Sequence, residues 1–188
     1  MTWAECQKQV TGFSGAEFKS FPTMEEAQAF AGVSAEGIPD TLPRAEKPAS
    51  DQVIAYVDGS YRSDTGEFSY GMVILKDGEE HTFCEKMTDK ELALMHNVAG
   101  EIKGSEAAMQ YAVDHNIPEI TIYHDYEGIA KWCTGAWKAT KPGTIAYQAF
   151  YREAMKKVKV HFVKVKGHSN DKYNDMADQL AKKALGIL

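Results

Sequence analysis

The sequence predicts an α/β fold: a mixed five-stranded sheet that joins a three-stranded antiparallel meander to two parallel strands and is flanked by helices. After residue 50, apolar runs first follow one another, with an Asp77-Gly78 hairpin signal between two of them. Further along, apolar runs alternate with segments of helical spacing. Because hairpin-linked strands are antiparallel and helix-linked strands are usually parallel, the pattern indicates both pairings in one sheet.

Each element follows from its local pattern. The run VIAYVD is apolar until it ends in an acid, YGMVIL follows as a second strand, and ITIYH has the length of a buried strand. The expected strands are Val53–Asp58, Tyr70–Leu75, Thr82–Met87, Ile120–His124 and Val160–Val165. The expected helices, with apolar residues three or four positions apart, are Asn97–His115, a segment beginning with Gly128–Cys133, Ile145–Val158 and Asp171–Leu185. We expect helices on both faces of the sheet.

A linker divides the chain. Residues 31–50 lack periodicity and hold three of the six prolines. They separate a small N-terminal piece, residues 1–30, from a large domain, residues 51–188.

Composition excludes several classes of protein. No stretch approaches the length of a membrane span, and the first residues show no basic region before an apolar run. The three cysteines are far apart and form no CxxC pair, which argues against a disulfide framework and a zinc site and favours the cytoplasm. No obligate protein partner is evident.

Charge is unevenly distributed along the chain, whose net charge is −6. Residues 51–125 contain fifteen acidic and five basic residues, whereas residues 126–166 contain nine basic and two acidic ones. The second segment can offer phosphate contacts while the first concentrates carboxylates. A merely solvated helix face explains the basic segment equally well.

Four acids occupy unusual positions. Asp58 and Asp125 each end an apolar strand, Glu101 lies one turn into the first long helix, and Asp178 lies in the closing helix. If the first and fourth strands are parallel neighbours, Asp58 and Asp125 emerge at the same edge of the sheet. Clustered carboxylates repel one another, and an all-oxygen ligand set suits Mg²⁺. Taken singly, an acid is usually better explained as a cap or a solvated side chain, and this explanation is weaker for Asp58 and Asp125 because they end strands.

The segments YVDGSY, NVAGE, ITIYHD and VKGHSNDKYNDMADQLA, in this order, resemble the ribonuclease HI family over residues 52–186. The resemblance implies a ribonuclease H-like fold and a metal-dependent endonuclease that cuts the RNA strand of RNA–DNA hybrids. It further implies two Mg²⁺ ions, for which Mn²⁺ can substitute, and products with 5′-phosphate and 3′-hydroxyl ends.

The resemblance also implies roles for single residues. The family's metal-binding acids match Asp58, Glu101, Asp125 and Asp178; Asp178 is preferred to Asp175 because it precedes the QLA step of the helix. His168 resembles the histidine that assists proton transfer or product release. Asn97 resembles the asparagine that contacts the minor groove. Gly59 and Ser60 match backbone that lies close to a ribose 2′-hydroxyl, the group that distinguishes RNA from DNA.

Some positions depart from the family pattern. Asp125 is followed by Tyr126-Glu127 where many members have Ser-Gln, so the groove contact of that glutamine is not expected. His96 replaces a residue that is often a phosphate-binding threonine. The aromatic and basic residues of the shortened protrusion, which either contact the DNA strand or pack in the core, are Trp132, Trp137 and Lys138.

The N-terminal piece, TWAECQKQVTGFSGAEFKSFPTMEEAQAF, is similar to the latter part of the hybrid-binding, or viroplasmin-like, module. Trp3 and Phe18 match aromatic positions that stack on nucleic acid, and Lys19 matches a basic neighbour. Because about 30 residues form a thin core, we expect weak folding and a reduced hybrid affinity from this piece.

Two other kinds of function remain alternatives at this point. A catalytically idle hybrid-binding protein is disfavoured by the presence of all four acids. A related fold with different chemistry, such as a DEDD-type exonuclease or a transposase core, is disfavoured by the order of the motifs.

Overall fold

The computed structural model describes residues 52–166 and 171–187 of the chain. The strands there are β1 (Val53–Arg62), β2 (Glu67–Lys76), β3 (Glu79–Met87), β4 (Glu119–His124) and β5 (Lys159–Lys164). The helices are α1 (Asn97–Asp114), α2 (Gly128–Thr134), α3 (Pro142–Ala154) and α4 (Lys172–Ala184), and a short 3-10 helix at Leu92–Met95 precedes α1.

The five strands form one sheet in the order β3-β2-β1-β4-β5. The pairs β1–β2 and β2–β3 are antiparallel, and the pairs β1–β4 and β4–β5 are parallel. The predicted meander plus two parallel strands is therefore confirmed, including the neighbouring positions of the first and fourth strands.

Helices cover both faces of the sheet, as expected. Alternate residues of β1 belong to different hydrophobic cores. Ala55 and Val57 belong to the larger core, which includes residues of α1. Ile54 and Tyr56 belong to a smaller core, which includes Ala177 of α4. Since successive side chains of a strand point to opposite faces, α1 and α4 lie on opposite sides of β1. Each large apolar side chain that is fully buried in these cores contributes about 1.5–3 kcal/mol.

Element boundaries differ from the predictions where polar residues lie inside an element. β1 and β2 pair as far as Arg62 with Glu67, because the hairpin between them turns only at residues 63–66. β3 begins at Glu79, three residues earlier than predicted, since an exposed strand tolerates acidic residues. Helix α3 begins at Pro142, the first helical position that proline favours. Every helix in the described residues is too short or too polar to cross a bilayer.

Candidate active site

Two of the predicted acids arrive at the site on adjacent parallel strands. The last aligned pair of β1 and β4 is Tyr56 with Tyr123, so Asp58 and Asp125 each follow that pair by two residues. β4 ends at His124, whereas β1 continues past Asp58 and pairs with β2 alone. The two carboxylates are therefore level with each other at the end of β4, as expected from the strand order.

The third acid reaches the same point because α1 lies directly on β1. A Cβ atom added to Gly59 would lie 2.1 Å from the Asn97 carbonyl oxygen and 2.6 Å from the Glu101 amide nitrogen. On the helix, a Cβ atom added to Gly100 would lie 2.1 Å from the Ser69 carbonyl oxygen. Only glycine permits this approach at both positions. The contact between glycine backbones thus places Glu101, the next residue of α1, beside Asp58.

The three carboxylates form one cluster. Asp58, Glu101 and Asp125 each offer an oxygen atom that lies within 4.8 Å of the other two. Two main-chain groups orient them: the Gly59 N–H donates to Asp58 Oδ1 at 2.7 Å, and the Tyr126 N–H donates to Glu101 Oε2 at 3.3 Å. Glu101 is buried, with 4 % of its surface exposed. Backbone amides therefore hold the carboxylates in place before any ligand binds.

Burial and mutual repulsion disfavour the charged forms of these acids. Burial, followed by the Asp125 and Asp58 charges, raises the pKa of Glu101 to about 9. Burial, followed by the Asp125 charge, raises the pKa of Asp58 to about 7, even though the Gly59 N–H acts in the opposite direction. A site with these shifts favours a proton or a metal cation among its oxygens.

Asp178 lies near this cluster but outside the group of three. Its charge also raises the pKa of Asp58, and its Oδ2 atom accepts a hydrogen bond from Lys182 Nζ at 2.7 Å. The α4 acid whose charge acts on Asp58 is thus the residue chosen from the sequence. The role of Asp178 as a metal ligand stays a prediction.

The other predicted contact residues surround the cluster or lie outside the described residues. Asn97 is exposed at the start of α1, and Ser60 is buried in β1. His96 has a left-handed backbone (φ 54°), and its ring stacks on Tyr61 with centroids 4.6 Å apart. Outside the described residues lie His168, Trp3, Phe18 and Lys19.

The protrusion residues behave differently from one another. Trp132 is buried with the core, whereas Trp137 is 37 % exposed and lies beneath Lys131, whose Nζ atom is 4.9 Å from the ring centroid. Both indoles contact the ring of Tyr126. Of the two alternatives for the tryptophans, packing in the core therefore applies to Trp132, and Trp137 remains available to a ligand.

Two functional features were not predicted from the sequence. The first is the Tyr126 N–H that holds Glu101, since a main-chain donor leaves no signal in residue types. The second is Glu127, whose carboxylate accepts hydrogen bonds from Lys131 and from Lys164, the latter at 2.8 Å. These lysines lower the pKa of Glu127 to about 2. Its four-residue spacing from Lys131 was a signal that could have revealed the first pair.

Comparison with known proteins gives a consistent result. The family described as RNase H matches residues 50–186, and the one described as ribonuclease H1 N-terminal domain matches residues 1–31. A ribonuclease H of Caldicellulosiruptor saccharolyticus is 26 % identical over 137 residues, covering 70 % of this chain and 94 % of that protein. A ribonuclease H of Wolbachia pipientis is 29 % identical over 148 residues, covering 71 % of this chain and 95 % of that protein.

Solved structures share the fold. The RNase H1 of Halobacterium salinarum superposes with a TM-score of 0.61 at 25 % identity, covering 73 % of this chain and 99 % of that one. LC11-RNase H1, solved in complex with an RNA/DNA hybrid, superposes with a TM-score of 0.57 at 20 % identity and covers 71 % of this chain and 99 % of that one. The second likeness concerns the fold alone. The family match spans most of the chain, and we conclude that the chain belongs to the ribonuclease H family and is a ribonuclease H enzyme.

Proposed function

We propose that this ribonuclease H cuts the RNA strand of RNA–DNA hybrids internally, with divalent metal ions bound at its carboxylate cluster. The observation that carries the proposal is the meeting of Asp58, Glu101 and Asp125 oxygens within 4.8 Å of one another. The likeness to an RNase H1 that was solved with an RNA/DNA hybrid supports the choice of substrate.

The residues present fit Mg²⁺. Among the described residues, the donor set consists of carboxylate oxygens, which hard divalent cations prefer, and includes no thiolate or imidazole. Burial and then mutual repulsion raise the pKa values of Glu101 and Asp58, and a divalent cation among the oxygens would compensate the charges that both effects disfavour. In the proposed assignment these residues, Asp125 and Asp178 hold two Mg²⁺ ions, for which Mn²⁺ can substitute.

The chain's own residues orient and shield this chemistry. The ions held by these carboxylates would supply activation of a water molecule for attack on the phosphate and charge compensation at the leaving 3′-oxygen, and cleavage in this way would leave 5′-phosphate and 3′-hydroxyl ends. The Gly59 and Tyr126 amides keep Asp58 and Glu101 aimed at a common point, so that few side chains need to reorganise. In this proposal His168 assists proton transfer or product release.

Substrate recognition is proposed for the surfaces on either side of the cluster. The backbone of Gly59 and Ser60 reads the ribose 2′-hydroxyl, and Asn97, exposed beside Glu101, contacts the minor groove. Trp137 offers an exposed ring beside the Lys131 ammonium, a combination that suits a sugar-phosphate chain.

The N-terminal piece is proposed as a weak auxiliary binder. Its match to the ribonuclease H1 N-terminal domain supports a division into residues 1–30, a linker at 31–50 and a catalytic domain at 51–188. In this assignment Trp3, Phe18 and Lys19 contact the hybrid. The free thiols of Cys84 and Cys133 support a reducing location, for which we propose the cytoplasm.

A gel assay tests the function. An RNA–DNA hybrid, a DNA duplex and a single-stranded RNA are each incubated with Mg²⁺ or with EDTA, and the RNA ends are tested for phosphate by enzymatic labelling. We expect internal cuts in the hybrid RNA only, and only with the metal. Binding of the hybrid without cleavage would support a non-catalytic hybrid-binding protein, and an Asp125→Asn variant that still cleaves would remove the cluster from the mechanism.

A further inference from the structure

Among the described residues, no strand pairs with the outer edge of β3 (Glu79–Met87), which is regular along its length. β3 is the terminal strand of the sheet, and it pairs with β2 through nine consecutive residue pairs without a bulge. Seven of its nine residues are exposed, and it contains no proline. Proteins prevent edge pairing with bulges, prolines, short edge strands or charged side chains on the edge strand. Of these, β3 has only charged side chains, at Glu79, Glu80, Glu85 and Lys86.

The two faces of β3 carry distinct side chains. Phe83, with 38 % of its surface exposed, lies on the α1 face, where its ring contacts Tyr111 of α1 at a centroid distance of 5.7 Å. His81 and Glu85 lie on the same face by alternation. Glu80 lies on the opposite face, where it accepts hydrogen bonds from the Tyr173 hydroxyl and Lys172 of α4.

We propose that β3 pairs antiparallel with β3 of a second copy of this chain, with Phe83 at the two-fold axis. In this register Phe83 lies opposite the partner's Phe83, an aromatic cross-strand pair. His81 lies opposite the partner's Glu85, and Glu80 lies opposite the partner's Lys86. Both pairs, the His81–Glu85 hydrogen-bonding pair and the Glu80–Lys86 ion pair, occur twice, because the axis relates them. The sheet becomes continuous across the two copies.

The charges of β3 select this register over its neighbours. A continuous sheet permits only shifts that keep each residue on its own face, so the alternative registers centre on Thr82 or Cys84. Centring on Thr82 places Glu79 opposite the partner's Glu85, which is repulsive. Centring on Cys84 leaves Phe83 opposite the partner's Glu85 and removes the Glu80–Lys86 ion pair. Of these three registers, only the one centred on Phe83 pairs Glu80 with Lys86 and places no two like charges opposite each other.

The helices leave room for this pairing. Helix α4 packs mainly against β2 and β1. In the dimer the two β2 strands would be three strand spacings apart, about 14 Å. Packed helices need only about 8–10 Å between their axes, so the two α4 helices do not collide. The acid cluster lies on β1, α1 and the end of β4, away from the paired edge, and the association does not depend on cleavage.

Sedimentation velocity on the full-length chain tests the proposal, over about 1 to 300 µM because a single strand pair is a small interface. We expect a reversible monomer–dimer equilibrium. Phe83→Lys should weaken the dimer at least tenfold. The matched control is Ile145→Lys, which removes an exposed apolar side chain of α3 and should leave the equilibrium unchanged. Thermal unfolding at low concentration verifies that each variant is folded.

A charge exchange tests the register. The His81→Glu variant places two carboxylates opposite each other on both sides of Phe83, and the Glu85→Lys variant places an ammonium opposite an imidazole there, so each variant should be largely monomeric. Mixing the two variants places a carboxylate opposite the new ammonium on one side of Phe83 and opposite His81 on the other, and the dimer should reappear. A full-length chain that stays monomeric throughout the range would overturn the proposal. So would a dimer that survives both variants, or a mixture that stays monomeric.

Discussion

Replacing Asp58 by asparagine removes one charge from the cluster and should make the metal-free protein more stable. Burial and the Asp125 charge raise the Asp58 pKa from 3.8 to about 7. A rise of about three units corresponds to about 4 kcal/mol of folding free energy once the pH exceeds 7. Asparagine also loses the charge-assisted bond from the Gly59 N–H. We therefore expect a net gain of roughly 2 kcal/mol, or about 4–8 °C in Tm.

The size of this stability gain depends on pH in a defined way. Because the folded-state pKa of Asp58 is raised, folding favours the protonated carboxyl. The contribution of Asp58 to stability is complete below pH 3.8 and is lost as the pH rises through about 7. The advantage of asparagine should grow between about pH 4 and pH 7 and level off above that range.

Thermal unfolding of the parent chain and of Asp58→Asn, in EDTA at pH 5 and pH 8, measures the effect. In Mg²⁺ the order should reverse, because bound ions stabilise the parent more than a variant that lacks a ligand. Asp114→Asn is the matched control: this acid is exposed at the end of α1, and its loss should change stability by no more than about 0.5 kcal/mol. A variant less stable than the parent at pH 8 in EDTA would refute the reasoning.

Three further outcomes follow from the site. Gly100→Ala should abolish cleavage and lower the free energy of unfolding by a few kcal/mol, since its Cβ would lie 2.1 Å from the Ser69 carbonyl oxygen. The control Gly104→Ala, whose Cβ would lie 3.2 Å from its nearest atom, should lower the free energy of unfolding less, as measured by urea titration. His168→Ala should slow turnover without abolishing it, and equal loss to that of an acid variant would contradict the proposed role. Deleting residues 1–45 should weaken hybrid binding less than tenfold in a fluorescence titration.

The strands of the sheet could be predicted well because each is indicated by a local pattern of consecutive residues. An apolar run that ends in an acid indicates both a strand and a carboxylate at its end, and this pattern identified Asp58 and Asp125 without any knowledge of their distance. The prediction that Asp58 and Asp125 lie close together required only that β1 and β4 be parallel neighbours, which the helical connections favoured. The early start of β3 was missed because Glu79 and Glu80 are acidic and exposed, so the first residues of this edge strand lack the apolar alternation that reveals a strand in the sequence.

What the sequence could not give is the depth at which a helix lies on a sheet. The glycines at 59 and 100 are far apart in the chain, and nothing in their neighbours indicates that one backbone presses against the other. The same is true of Gly71, where an added Cβ would lie 2.0 Å from the Ala177 carbonyl of α4. Motif resemblance named the acids, but only the packing shows why they meet.

The packing also explains why the cluster favours a proton or a cation among its oxygens. Close contact at Gly59 and Gly100 contributes to folding through the buried surface of β1 and α1, and that contact brings Glu101 to Asp58 whether or not their charges are compensated. The fold thus imposes the repulsion, and main-chain amides from Gly59 and Tyr126 offset part of it. In the proposed function, a divalent ion would offset the remainder. Metal affinity should therefore fall whenever the helix moves outward, even with every carboxylate intact.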